Sequence, residues 1–245
     1  MANQALAGRR ILLPARWSSE LGAAIVAAGG EVDEIQLLDR RPTPSAALDA
    51  LPGRCSAGEV DWLVITSVFT VVALEKLGHP LGEWCPSRVA LAAVGPASAR
   101  AAEEAVGRVP LQPAVGTGGA ALAQVFPPGR GRVAIPGAAR QSPMLRAELA
   151  AKGWQVEEIP VYQTLPVEQV TDELRQRWLS GGYDALVVTS ASVATAAAGL
   201  LGPGPVVVVG PASAAAAVQA GLGPVHTAES ATASDLVAAL AGLLN

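Results

Sequence analysis

Short runs of consecutive apolar residues alternate along this chain with polar turns and alanine-rich stretches of helical length. Leu63–Ile65, Leu186–Val188 and Val206–Val209 are continuously apolar, as strands buried on both faces of a parallel sheet are. Thr-Ser or Gly-Pro-Ala-Ser follows each, and helical runs such as Ala99–Val106 and Ala214–Ala220 come next. Strand, polar turn and helix in succession predict βαβ units and an α/β fold built on a doubly wound parallel sheet.

The pattern occurs twice. Asp61-Trp-Leu-Val-Ile-Thr-Ser67 returns as Asp184-Ala-Leu-Val-Val-Thr-Ser190, and Ala93-Val-Gly-Pro-Ala-Ser-Ala99 as Val208-Val-Gly-Pro-Ala-Ser-Ala214. Arg10-Ile-Leu-Leu-Pro-Ala-Arg16 has a looser echo in Arg132-Val-Ala-Ile-Pro-Gly-Ala138, and Thr117–Leu122 in Ala231–Leu236. A period of about 120 residues is too long for a solenoid and fits a duplicated module. The expected architecture is two similar lobes.

Composition narrows the function. The 245 residues are 51% hydrophobic and 16% charged, with a formal net charge of −4, which opposes disorder and a dedicated nucleic-acid binder. No Lys or Arg follows Arg177, so the last third is no phosphate clamp. Cys55 and Cys85 lack metal-ligand spacing and read as small thiols in a reducing, cytoplasmic setting, while His79 and His226 are isolated; no metal site is expected. Ala185–Ala228 carries no charged residue, yet Gly and Pro interrupt it too often for a membrane span. A dinucleotide site at Gly116-Thr-Gly-Gly119 fails the G-x-G-x-x-G spacing, because position 121 is Ala.

Ligands of open parallel sheets bind beyond the carboxyl ends of the strands. The turns expected there carry Thr66, Ser67, Ser98, Thr189, Ser190 and Ser213. Each hydroxyl suits a helix cap, and the remaining N–H groups of a helix start attract anions without a basic side chain. Arg16 and Arg140 occupy like places just past the first strand of each repeat, as solvated loop residues or as bidentate carboxylate clamps.

Leu-Leu-Pro-Ala-Arg16, Asp-Trp-Leu-Val-Ile-Thr-Ser67, Val-Gly-Pro-Ala-Ser-Ala99, Pro-Val-Tyr-Gln-Thr164 and Val-Gly-Pro-Ala-Ser-Ala214 together resemble the uroporphyrinogen-III synthase family, across about residues 9–240. The resemblance implies a cofactor-independent lyase of tetrapyrrole biosynthesis, on the route to haem, sirohaem and cobalamin. It would dehydrate and cyclise hydroxymethylbilane, a linear tetrapyrrole, while inverting ring D. It further implies two flavodoxin-like lobes joined by a two-stranded linker: residues 1–40 with 168–245, and residues 44–161, with crossings near 38–44 and 161–168. The residues by themselves equally permit a cut near Pro128. A cytoplasmic monomer whose partner is the small-molecule substrate, with neither nucleic acid nor membrane, is expected.

By the same resemblance Tyr162, in the linker motif, is the candidate general acid for departure of the substrate hydroxyl; a phenol keeps its proton at neutral pH, as a donor must. Arg16, Thr66, Ser67, Ser98, Arg140, Thr189, Ser190 and Ser213 become candidate substrate-binding residues. Two departures from the family pattern stand out: serine replaces the usual threonine at Ser98 and Ser213, and Val-Phe-Thr70 replaces a small polar run. The rival reading is a two-lobed protein that binds or senses an anionic ligand without catalysis.

Overall fold

A computed structural model describes residues 4–15 and 19–244. The chain opens with β1 (Arg10–Pro14), α1 (Ser19–Ala27), β2 (Glu31–Ile35), β3 (Leu38–Pro42) and α2 (Ala46–Ala57). It continues through β4 (Trp62–Ile65), α3 (Val68–Lys76), the short α4 (Leu81–Trp84), β5 (Ala90–Ala93), α5 (Pro96–Val106) and α6 (Gly119–Val125). Next come β6 (Arg132–Ala138), α7 (Pro143–Ala151), β7 (Gln155–Pro166) and α8 (Asp172–Leu179). The last elements are β8 (Ala185–Val188), α9 (Ala191–Leu201), β9 (Val206–Val208), α10 (Pro211–Gln219), β10 (Val225–Thr227) and α11 (Ala233–Leu244).

The fold is α/β, with two similar parallel-sheet lobes. Lobe 1 comprises Met1–Asp39 and Leu165–Asn245, and lobe 2 comprises Arg40–Thr164. The sheet of lobe 1 has the order β10-β9-β8-β1-β2, and that of lobe 2 the order β3-β7-β6-β4-β5. Matching the repeats (β1 with β6, β4 with β8, β5 with β9) superimposes the two orders. A parallel bridge between Ala92 and Leu111 stands where β10 lies in the other lobe. Read along lobe 1, the order is the doubly wound 2-1-3-4-5.

The lobes are not the sequence repeats. β1 from the first repeat pairs with β8 from the second, and β6 from the second pairs with β4 from the first. An aspartate secures each exchange at the amino end of the strands. Asp184 accepts from the Arg10 backbone N–H at 2.7 Å and from the Arg9 guanidinium at 2.9 Å. Asp61 accepts from the Arg132 backbone N–H at 2.8 Å. Two segments carry the chain between lobes, β3 and the far end of β7. Thr43 N–H donates to Val161 O and Val167 N–H to Leu37 O; the numbers run oppositely, so these strands are antiparallel.

Alternation builds two cores per lobe, because successive strand residues face opposite sides. In lobe 2, Leu63 and Ile65 pack with α2 and α3, while Val64 packs with α6 and α7. In lobe 1, Leu12, Leu186 and Val188 pack with α9, while Ile11, Leu13 and Val187 pack with α1 and α11.

Cys55 is fully buried in lobe 2 and Cys85 packs against the same core; both are free thiols. Burial pushes the Cys55 thiol up to about 11, with Cys85 adding to the rise and Arg54 and Arg88 opposing it. The Cys85 thiol is also raised by burial, against the pull of Arg108. A thiol raised in the folded state adds stability that is full below its unfolded value and is lost as pH climbs through the folded one. Unfolding free energy should therefore fall faster with pH in the wild type than in Cys55→Ala, by about 1.4 kcal/mol per pH unit between the ordinary thiol range and the folded value. Urea titrations across alkaline pH measure this; parallel slopes would contradict it.

Candidate functional site

A crevice opens in a doubly wound sheet where neighbouring strands send their following helices to opposite faces. In lobe 2 this switch falls between β6 and β4: α7 covers one face through Leu145 and Leu149, and α3 covers the other through Ala73 and Leu74. A depression of about 220 Å³ lies at the carboxyl ends of these strands. Thr66, Gly118, Gly119, Arg140, Gln141 and Ser142 line it beside the apolar Val94, Ile135 and Leu145. A larger depression, about 330 Å³, sits around Arg54, Arg132 and Glu157. Its arginines are already engaged, Arg54 by Glu157 at 2.7 Å and Arg132 by Glu59 at 3.7 Å, and it lies at the amino ends of the strands. The switch-point depression is the stronger candidate.

Local sequence explains each of its walls. β4 ends at Ile65, and Thr66-Ser67 turns the chain into α3. Ser67 is the N-cap, its backbone extended at φ −159° and its hydroxyl oxygen accepting from Phe69 N–H at 3.2 Å. The capping oxygen leaves the Ser67 proton free to donate elsewhere. Beyond β6, Ala139 N–H donates to Tyr162 O at 2.8 Å, which fixes the turn carrying Arg140. Gln141 folds back, its amide donating to Ile135 O at 3.3 Å. It can do so because position 137 is glycine, where a Cβ would stand 2.9 Å from Gln141 Oε1. Ser142 precedes Pro143, the first residue of α7, and makes no side-chain cap. Among the described residues no ion pair engages Arg140, which is exposed. The acid in the lining, Glu158, faces Arg146 at 3.8 Å.

Thr66 and Arg140 are thus brought to one depression, with Ser67 beside it. In lobe 1, Thr189 and Ser190 hold the equivalent place after β8, and Ser190 caps α9 by accepting from Val193 N–H at 3.3 Å. Arg16 lies outside the described residues.

Ser98 and Ser213 differ from expectation. They are buried, 7% and 5% exposed, and sit at the third helical position rather than at the cap. Gly95 and Gly210 are the N-caps, and Pro96 and Pro211 begin the helices. Proline is pre-set for the first helical position and lacks only an N–H that would find no partner there, so each helix starts before its serine.

Tyr162 lies near the carboxyl end of β6, in register with Ala138 across a local irregularity, yet it does not line the depression. Its ring belongs to the core of the opposite sheet face and is 6% exposed. Phe69 meets that ring edge-on, with centroids 5.0 Å apart and planes at 82°. The hydroxyl makes no hydrogen bond among the described residues. Tyr162 is not among the described residues with a sealed, unpartnered side-chain oxygen, which are Thr70 and Gln112, so its hydroxyl is not closed off from solvent.

The sequence matches the family model described as Uroporphyrinogen-III synthase HemD over residues 19–240. The chain belongs to this family. Solved uroporphyrinogen-III synthases share its fold. A mutant enzyme from the extremely thermophilic bacterium Thermus thermophilus is 23% identical, with 94% of this chain and 96% of that one covered and a TM-score of 0.54. The Helicobacter pylori protein is 14% identical, with 94% and 97% covered and a TM-score of 0.57. No curated protein matches the chain.

Sequence reasoning about this uroporphyrinogen-III synthase family member missed Gln141, Ser142 and the Gly118-Gly119 wall. Ser142-Pro143 carried a usable signal, a hydroxyl residue just before a proline that opens a helix. Gly118-Gly119 was legible as a helix start that echoes Ala231–Leu236, but nothing in that local pattern placed it beside Arg140.

Proposed function

We propose that this chain converts hydroxymethylbilane to uroporphyrinogen III, with loss of one water and inversion of ring D. The observation that carries the reading is the family match over nearly the whole chain. The lobe 2 switch point, whose polar side chains are largely uncommitted within the protein, supports it.

The substrate bears an acetate and a propionate on every pyrrole. Thr66, Ser67 and Ser142 hydroxyls and the Arg140 guanidinium suit such carboxylates, because charge-assisted bonds to carboxylate are stronger than neutral ones and arginine donates in pairs. The depression is smaller than a typical whole-ligand pocket, so it fits one ring's side chains rather than the macrocycle. Thr189 and Ser190 serve the same purpose on lobe 1.

Chemistry begins when the terminal hydroxyl leaves as water, taking a proton from Tyr162 while the pyrrole nitrogen pushes electrons to form a methylene-pyrrolenine. The substituted carbon of ring D attacks that methylene to give a spiro centre, which fragments and recloses with the ring inverted. The final proton lost from the pyrrolic ring returns to the Tyr162 phenolate, which restores the pyrrole, the acid and the balance of one water. Holding a flexible chain in the reactive shape supplies most of the acceleration, and oriented donors stabilise the spread charge.

The test is isomer analysis. Hydroxymethylbilane generated in situ closes unaided to the type I product. Added protein should shift oxidised products to type III in proportion to its concentration, with Arg140→Gln raising KM about tenfold through loss of one charged contact. Type I alone, from protein shown to be folded, would sink the reading and favour a ligand-binding role.

A further inference from the structure

Phe69 joins two residues from other elements through its ring. Its ring meets the Tyr162 ring edge to face at 5.0 Å, and the Arg40 guanidinium carbon lies 5.7 Å from its centroid. Arg40 is exposed, and its guanidinium lies over the Phe69 ring. The three residues come from separate elements: Arg40 from β3, Phe69 from the first turn of α3, Tyr162 from β7. Phe69 itself is half-buried at the edge of the core.

A tyrosine in a strand has two rotatable bonds, and nothing hydrogen-bonds this hydroxyl to set its direction. The lobe 2 core encloses the ring, and Phe69 is its aromatic neighbour there. We propose that Phe69, backed by Arg40, is the positioning residue that aims the Tyr162 hydroxyl outward at the substrate's leaving group. The inference rests on the acid role given to Tyr162 above. Edge-to-face geometry suits the task because it constrains ring orientation through the positive edge and negative face of the two rings without consuming the hydroxyl. The Arg40 cation over Phe69 helps to hold the middle ring in place.

Phe69→Leu keeps apolar bulk and removes the ring. It should lower kcat about two- to tenfold with KM little changed, the scale of one aromatic pair. Phe69→Tyr should restore most of the loss. In a Tyr162→Phe background the Leu substitution should add nothing, because the group being aimed is gone. Tyr162 and Tyr183 are the two tyrosines of the chain, so ring-labelled tyrosine gives two sets of NMR signals, assigned through Tyr162→Phe. Phe69→Leu should move the Tyr162 set and leave Tyr183 in place. Unmoved Tyr162 signals, or the same fall in kcat in both backgrounds, overturn the inference. An impaired Tyr162→Phe beside an unimpaired Phe69→Leu overturns the positioning alone. Wild-type turnover in Tyr162→Phe overturns the acid role and this inference with it.

Discussion

Tyr162→Phe is expected to lower kcat about ten- to hundredfold, to leave KM nearly unchanged and to preserve the type III share of the product. A positioned general acid contributes roughly a hundredfold or more. An effect at or below the foot of that range is expected on the proposed mechanism, because the pyrrole nitrogen itself drives the hydroxyl out and positioning of the chain carries most of the barrier. KM holds because the phenylalanine ring fills the same place against Phe69 in the lobe 2 core. The isomer ratio should hold because, on the proposed mechanism, inversion depends on how the protein folds the substrate, not on what protonates its leaving group. Steady-state kinetics with chromatographic separation of the isomers measures all three quantities. Undiminished kcat would remove Tyr162 from the chemistry, and a shift to type I would make it a shaping residue instead.

Gly204→Ala should be the most damaging small substitution in lobe 1, at about 3 kcal/mol, the upper range for overpacking a core. A Cβ at position 204 would stand 2.1 Å from Trp178 Cζ2 and 2.6 Å from Cε2. The indole has nowhere to withdraw: it is 4% exposed, packed in the α9-side core, and tied by its N–H to Pro203 O at 3.1 Å. The backbone is equally held, since Gly204 O accepts from Gly223 N–H and Pro205 O from Leu186 N–H. Gly199→Ala provides the control. It lies inside α9 with open space around a new Cβ, and should stabilise by about 0.5–1 kcal/mol through helix propensity. Urea unfolding followed by tryptophan fluorescence separates the two; equal midpoints would mean that the Trp178 contact is soft.

Some of this molecule is legible from local pattern. The apolar runs at Leu63–Ile65, Leu186–Val188 and Val206–Val209 become β4, β8 and β9, the last ending one residue early at Val208, because a strand buried on both faces has no polar position to offer. Ser67 and Ser190 become caps because a hydroxyl just before an alanine- or valine-rich run is the nearest partner for unpaired helix N–H groups. The same rule misplaced Ser98 and Ser213, where Gly-Pro starts the helix earlier. Arg140 and Thr66 were legible as strand-end residues, but their meeting in one depression was not. That requires β6 and β4 to be neighbours, and they lie far apart in the chain.

The sequence by itself determined the duplicated α/β pattern, the two-lobed character and the strand-end hydroxyls, since each rests on residues close together in the chain. Tertiary structure alone decided how the repeats are shared between lobes. Asp61 and Asp184 head nearly identical motifs and offer the same carboxylate to an incoming strand, so neither local pattern specifies whether Arg10 or Arg132 fills it. Parallel pairing is nonlocal, and the choice falls to the connections. β3 and β7 carry the chain across and back, so that β1 meets β8 and β6 meets β4. The contact of Phe69 with Tyr162 follows from that exchange, because β7 reaches α3 only after β6 has docked beside β4.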